Sequence, residues 1–402
     1  MAQSNLAAFL PVWPPQPEAM LWVALAIVAT GLVGELAFRS LRLPRISGYF
    51  VVGLVFGAFG FDLDAGQITG NLRTVFDLAL AVLLFELGTR VDLRWLRANP
   101  WLPATSLAES AAAFVAVLTL LRLTGFEFGT ALSVAVILLS TSPAIVMRVV
   151  SEFRADGQVT ERLMMLTALG TVYAVLGSRL LFGWLHHSGG GGIFAALFLP
   201  LYVVVGSLAL GAALAWSVRW VTRRFVLGED NATLLLLGML MLALALVKLG
   251  KFSPLLTPLA AGIVLKNTWA RPIVFPRQLG TAGSVLVALL FLATGMAVSL
   301  SQFVAGGAIA LVLVLVRSAA KLGAIAALGV PSGLSLRQSV ALGVAMAPVS
   351  GVAFALTADL QAVSAEIAPR AGAIVFSAIA ILELLGPLAV QWALSRAGET
   401  SA

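Results

Sequence analysis

The sequence predicts an all-α polytopic membrane protein, and three observations carry that prediction. The chain of 402 residues is 60% hydrophobic and only 11% charged, far less charge than the surface of a soluble fold of this length presents. Apolar runs near or above about 18 residues, the length a helix needs to cross hydrocarbon, recur from one end to the other. No segment alternates apolar and polar residues as a transmembrane strand would, which argues against a β-barrel.

The rest of the composition fits. The 38 glycines suit helices that approach closely in lipid. Cysteine is absent, so there is no disulfide and no thiolate metal site. No metal or other cofactor is expected. A formal net charge of +7 would suggest nucleic acid in a soluble protein; here it is assigned to cytoplasmic loops, and no nucleic-acid partner is expected. His186 and His187 border "SGGGG" and read as loop residues. There is no nucleophile–base set, metal-ligand cluster or phosphate loop, so an enzyme is not expected.

The apolar runs divide into thirteen spans, roughly 19–38, 46–60, 73–89, 101–121, 128–148, 162–185, 193–216, 231–249, 254–267, 281–300, 303–329, 337–358 and 371–395. Two, 46–60 and 254–267, are short enough to be tilted or partly re-entrant. The tail before the first span holds no Lys or Arg, so it lacks the basic region of a signal peptide. Placing the N-terminus outside puts 17 of the 25 basic residues in inner loops and 6 in outer ones. The positive-inside rule therefore predicts N-out and C-in.

The chain also resembles itself. "YFVVGLVFG" with Gly53 matches "PLAAGIVLK" with Gly262; "LLFELGTRVDL" with Phe85 matches "LLFLATGMAVSL" with Phe291; "STSPAIV" with Pro143 matches "MAPVSGV" with Pro348. The offsets are 209, 206 and 205 residues. Nearly constant spacing implies two six-helix halves joined by the seventh span. The first span runs inward and the eighth outward, so the halves are inverted repeats, the plan of many secondary transporters.

In that plan substrates bind at mid-membrane, where helices are broken. "LLSTSPAIV" and "AMAPVSGVAF" carry a breaker at matching places. Pro143 and Pro348 each remove a backbone donor, and Ser140, Thr141, Ser142 and Ser350 offer hydroxyls beside the freed carbonyls. Coincidence within the repeat favours crossed broken helices over two ordinary proline kinks. Charges inside spans are costly in lipid and need a partner. Arg317 and Lys321 are four apart and share one helix face. Apolar residues extend more than a turn on either side of Arg317, so snorkelling to an interface suits it poorly.

These residues carry a resemblance. "LRLPRISGYFVVGLVFG", "AVLLFELGTRVDLRWLR", "TPLAAGIVLKN" and "LLFLATGMAVSL" are similar, in order and spacing over about residues 19–395, to the membrane domain of monovalent cation:proton antiporters, the Kef-type and sodium/proton-exchanger group. The resemblance implies thirteen helices, a homodimer in the bilayer, and an elevator-like core moving against a dimerisation scaffold. It implies residues 1–18 as an extracytoplasmic tail, 19–99 and 231–301 as scaffold, 100–187 and 302–397 as core, and 188–230 as a linker helix and loop. It implies exchange of a monovalent cation, sodium or potassium, for protons across the cell inner membrane. Lys321 is similar to the family's basic residue in span 11.

The departures are as informative. The family's coupling acid lies in span 6, in a pair ending in Asp. Aligning "ERLMMLTALGTVYAVL" puts Gly170 and Thr171 there, and no Asp or Glu occurs between Glu161 and Glu229. The family's "GLE" after span 3 reads "GTR", and Gly351 or Val352 stands where an acid is common near the second break. Threonine can offer an oxygen ligand but cannot titrate. Thr167, Gly170, Thr171, Ala174 and Ser178 form one small, polar stripe, either a close-packing face or the neutral lining of a path.

Within the implied core the midspan charges are Arg317 and Lys321 against Glu109 and Glu383, a sum of zero. Glu383 beside Gly386 and Pro387 resembles a common family feature and reads as structural. Glu109, a midspan acid among small residues, is the better candidate for a substitute proton site. The alternative transporter reading keeps the fold and changes the cargo: Arg317, Lys321 and two broken-helix N-termini with no nearby acid suit an anion or organic acid. A non-transporting relative with a sensing or scaffold role is the third reading.

Overall fold

The computed structural model describes residues 19–58, 65–188, 192–225, 228–268, 280–298 and 300–400. They form sixteen helices: α1 Ala19–Leu41, α2 Arg45–Ala58, α3 Ala65–Gly88, α4 Leu93–Ala98, α5 Trp101–Leu123, α6 Phe128–Ile137, α7 Pro143–Glu152, α8 Gln158–Ser188, α9 Ile193–Arg224, α10 Glu229–Gly250, α11 Leu256–Thr268, α12 Gly280–Ala297, α13 Leu300–Gly329, α14 Leu336–Ala345, α15 Gly351–Val363 and α16 Ala368–Ala397. Among the described residues there is no strand.

Among the described residues, seven helices, α1, α5, α8, α9, α10, α13 and α16, are long and apolar enough to cross a membrane. Their packing follows from where lipid lies. Leu21, Leu25, Val28, Leu32 and Leu36 on α1, and Leu234, Leu242 and Leu249 on α10, are exposed. Apolar side chains left uncovered on long apolar helices face hydrocarbon in a multi-pass membrane protein. By contrast, α16 buries residues on every side along most of its length, so it lies inside the bundle.

Two helix pairs meet through glycine. α2 packs on α12 and α3 on α11. A Cβ on Gly53 would run into the Leu292 carbonyl and Gly295 of α12; one on Gly88 would run into the Leu259 carbonyl and Gly262 of α11. Backbones this close are held by van der Waals contact that any side chain would remove.

Two helical lines are interrupted. α6 stops at Ile137 and α7 starts at Pro143; α14 stops at Ala345 and α15 starts at Gly351. Pro143 occupies the first turn of α7, where its missing N–H costs nothing, and Ser142 caps that helix by accepting from the Ile145 N–H at 3.2 Å. The two gaps cross. The Ser142 N–H donates to the Pro348 carbonyl at 2.9 Å, the Thr141 hydroxyl donates to the Met346 carbonyl at 3.2 Å, and the Ser142 and Ser350 hydroxyls meet at 2.5 Å.

Two local expectations change. The histidines are not in a loop: α8 continues to Ser188, so His186 and His187 occupy its last turn. α4 was not anticipated from the apolar pattern. Asp92 starts it by accepting from the N–H groups of Arg94 and Trp95, a short capped turn with no buried residue to signal it. The tail 1–18 and the basic residues Arg271 and Arg277 lie outside the described residues.

Candidate functional site

The crossing leaves carbonyls without helical partners, and two side chains of α13 fill them. Arg317 is fully buried. Its Nε donates to the Leu138 carbonyl at 2.7 Å, Nη2 to Ser140 at 2.9 Å and Nη1 to Ala347 at 2.7 Å. One guanidinium therefore clamps both gaps. Its planar fork suits this, because it aims several donors in fixed directions. Snorkelling is ruled out by the absence of any exposure.

One turn along, Lys321 Nζ donates to Glu109 Oε2 at 2.5 Å, to the Leu139 carbonyl at 3.3 Å and to Thr141 Oγ1 at 3.4 Å. Lys321 and Glu109 are both fully buried. Ser110 donates to the other carboxylate oxygen, Oε1, at 2.9 Å. α5 delivers Glu109 because it packs along α13. A desolvated pair of this kind holds only when geometry is close and the remaining oxygens are bonded, and both conditions are met. The expectation of a site without a nearby acid is corrected here: the acid comes from α5, not from α8.

The stripe on α8 is buried against the same crossing. Thr167 Oγ1 lies 3.9 Å from Met346 Sδ, in the second gap. A Cβ on Gly170 would lie 3.7 Å from the Leu139 carbonyl oxygen, in the first gap. Thr171 and Ser178 turn their hydroxyls back to their own helix, onto the Thr167 and Ala174 carbonyls at 2.9 and 2.6 Å. Gly170, rather than Thr171, is thus the position shown beside the carbonyl that Lys321 reaches. The structure leaves Glu383 apart from both cations. Its Oε2 accepts from Thr294 of α12 at 2.9 Å, and its Oε1 has no partner among the described residues.

Pro143, Ser142, Pro348 and Ser350 build the crossing; Arg317 and Lys321 fill it; Thr141 links the two. Sequence reasoning placed freed carbonyls at the breaks but did not assign those of Leu138, Ser140 and Ala347 to Arg317 or that of Leu139 to Lys321, and it missed Ser110 as the second partner of Glu109. The prolines marked those carbonyls, since residues just before a break lose their helical donors. Among the described residues there is no group of three or more His, Asp or Glu side chains placed to hold a metal ion.

The order of helices, the crossed gaps and the buried cations can be compared with known proteins. The family model for the transmembrane region of sodium/hydrogen exchangers matches residues 23–396. The chain belongs to the sodium/hydrogen exchanger family. Two structures of the sodium proton antiporter MjNhaP1 from Methanocaldococcus jannaschii share the fold. One, at pH 8, superposes with a TM-score of 0.75 at 17% identity, over 95% of this chain and 98% of that one. The other gives 0.73 at 18% identity, over 95% and 97%. A curated relative, the iron transporter MagA of Paramagnetospirillum magneticum, is 24% identical over 287 residues. That match covers 70% of this chain and 64% of the relative's length. Membership of this family, with the shared fold, makes the chain a multi-pass membrane protein of the cation:proton antiporter fold.

Proposed function

We propose that this family member exchanges a monovalent cation, sodium or potassium, for protons, and that the Glu109–Lys321 pair replaces the acid missing from α8. The observation that carries the reading is the buried 2.5 Å contact between these two side chains at the crossing of the broken helices. The charge balance is simple. Lys321 releases its proton as a cation enters among the Glu109 carboxylate, the Thr141 hydroxyl and the Leu139 carbonyl. One positive charge replaces another, so the buried site keeps its net charge and neither form strands an ion. Arg317 stays in place, since its three bonds go to backbone carbonyls that no titration alters.

In this reading α6–α7 and α14–α15 each make one broken span and α4 lies outside the membrane, which gives thirteen spans. Inverted repeats are supported by the contacts: Gly53 meets Gly295 and Gly88 meets Gly262, so repeat-related positions exchange partners across the fold. Residues 19–99 and 231–301 serve as scaffold of a homodimer, and 100–187 and 302–397 as the core of an elevator-like movement. The protein acts as a transporter and not an enzyme, in the inner membrane with its N-terminus outside. An anion at Arg317 and Lys321 is the weaker reading, because every cationic group there is already engaged. The iron named for the relative is not carried over, since the site offers one carboxylate and an ammonium group.

The test is flux in proteoliposomes followed by a pH-sensitive dye, screened over sodium, potassium and a panel of anions. Proton movement driven by one cation supports the proposal. Movement driven by anions alone contradicts it, and silence favours a non-transporting relative.

A further inference from the structure

A second site lies away from the crossing. A cavity of about 790 Å³ opens between α3, α10 and α12 on one side and α8, α15 and α16 on the other, within the range that takes a small organic molecule. None of Glu109, Arg317, Lys321 or Thr171 lines it. Its floor is aromatic. Phe76 and Phe354 stand 5.0 Å apart between ring centres, and Phe354 and Phe376 5.6 Å. Its rim is basic.

The charges on that rim do not cancel. Arg179 pairs with Asp359 at 2.7 Å and Lys248 with Asp77 at 3.6 Å. Arg73 and Lys251 also line the cavity and make no ion pair within 4 Å among the described residues, Arg73 acting on Asp77 only through space beside the closer Lys248. Lys251 is fixed at its backbone, in the left-handed conformation that ends α10 (φ 52°). Both acids that could attract a cation are therefore already held by a cation. Two basic side chains remain over an aromatic floor.

We propose that this cavity binds an organic anion with an apolar body. Arg73 and Lys251 hold its carboxylate and the Phe76–Phe354–Phe376 floor takes its hydrocarbon. A partly solvated rim sets the sign of the ligand, while the floor supplies area to bury. A dissolved aromatic acid and a fatty acid from the bilayer share this chemistry. The inference rests on the cavity and is independent of the role proposed for Glu109.

The experiment is equilibrium binding to the full chain in lipid nanodiscs, with three probes of one shape: naphthoate, naphthylmethylammonium and naphthylmethanol. Naphthoate should bind about tenfold or more tighter than the ammonium, the scale of one charge contact in a partly solvated site. Arg73→Glu and Lys251→Glu should each weaken naphthoate by a similar factor and leave the alcohol unchanged. Both positions are exposed, so the variants should fold, and unchanged thermal unfolding checks this. Palmitate is the second arm. Naphthoate binding places the ligand's source in water, whereas palmitate binding alone places it in the bilayer. Equal or tighter binding of the ammonium, or no effect of either charge reversal, overturns the proposal. So does the failure of both anions to bind.

Discussion

Glu109 and Lys321 are 212 residues apart in sequence and 2.5 Å apart in the fold, with neither side chain exposed. Removing one member of such a pair strands the other in a dry site, at a cost of about 3–5 kcal/mol. Glu109→Gln and Lys321→Ala should each lower the unfolding temperature in detergent or nanodiscs. The double variant should lose clearly less than the sum of the two, because it strands nothing. Simple additivity would mean that each charge is satisfied separately.

Arg317 satisfies carbonyls of both gaps with three donors. Lysine keeps the charge but cannot reach three carbonyls in those directions. Arg317→Lys should therefore destabilise by about 1–3 kcal/mol for each buried carbonyl left unpaired. Thermal unfolding measures the loss, and hydrogen exchange at residues 138–142 and 346–350 locates it. Wild-type protection in both segments of the variant would show that the clamp is not needed.

On α8, position 170 offers the informative substitution. A Cβ there makes only ordinary contact with the Leu139 carbonyl oxygen, at 3.7 Å. Gly170→Asp should fold, because its carboxylate enters beside Lys321 and gains a cationic partner. Gly170→Leu should not, since it brings bulk without charge into the crossing. Yield of monodisperse protein from both variants compares them. Normal folding of the leucine variant with loss of the aspartate variant would contradict the placement of α8. Thr171→Asp should also be tolerated, but it forfeits the hydroxyl bond to Thr167.

Close approach at Gly53 is a separate matter of shape. Even a methyl group there meets backbone of α12, which cannot rotate away as a side chain could. Gly53→Ala should reduce folded yield severely, while Gly31→Ala, with nothing near its added methyl, should not. Equal yields would mean that α2 and α12 can part without loss.

Much of this was legible in the residues because lipid enforces simple rules. Apolar runs marked the helices, Pro143 and Pro348 marked the gaps, and long apolar flanks marked Arg317 as buried. The need for a partner to each midspan charge, with a midspan acid set among small residues, pointed to Glu109. Its pairing with Lys321 rather than Arg317 could not be read, because it depends on how α5 lies along α13. The prolines marked where carbonyls are freed, but which side chain fills each one depends on how α13 lies against the crossing. Direction of the Thr171 hydroxyl was equally hidden, since a buried threonine in a helix can bond its own preceding turn. His186 and His187 were misplaced because a glycine run in the sequence does not show how far the helix before it reaches.

The most direct test of the account is the pH dependence of exchange by Glu109→Gln in proteoliposomes, compared with the wild type and with Glu383→Gln. If the Glu109–Lys321 pair couples protons to cations, the Glu109 variant should lose cation-driven proton movement or carry out transport that no longer responds to pH, while Glu383→Gln keeps the wild-type profile. A Glu109 variant that folds and exchanges with an unchanged pH profile would place the coupling elsewhere and contradict the account.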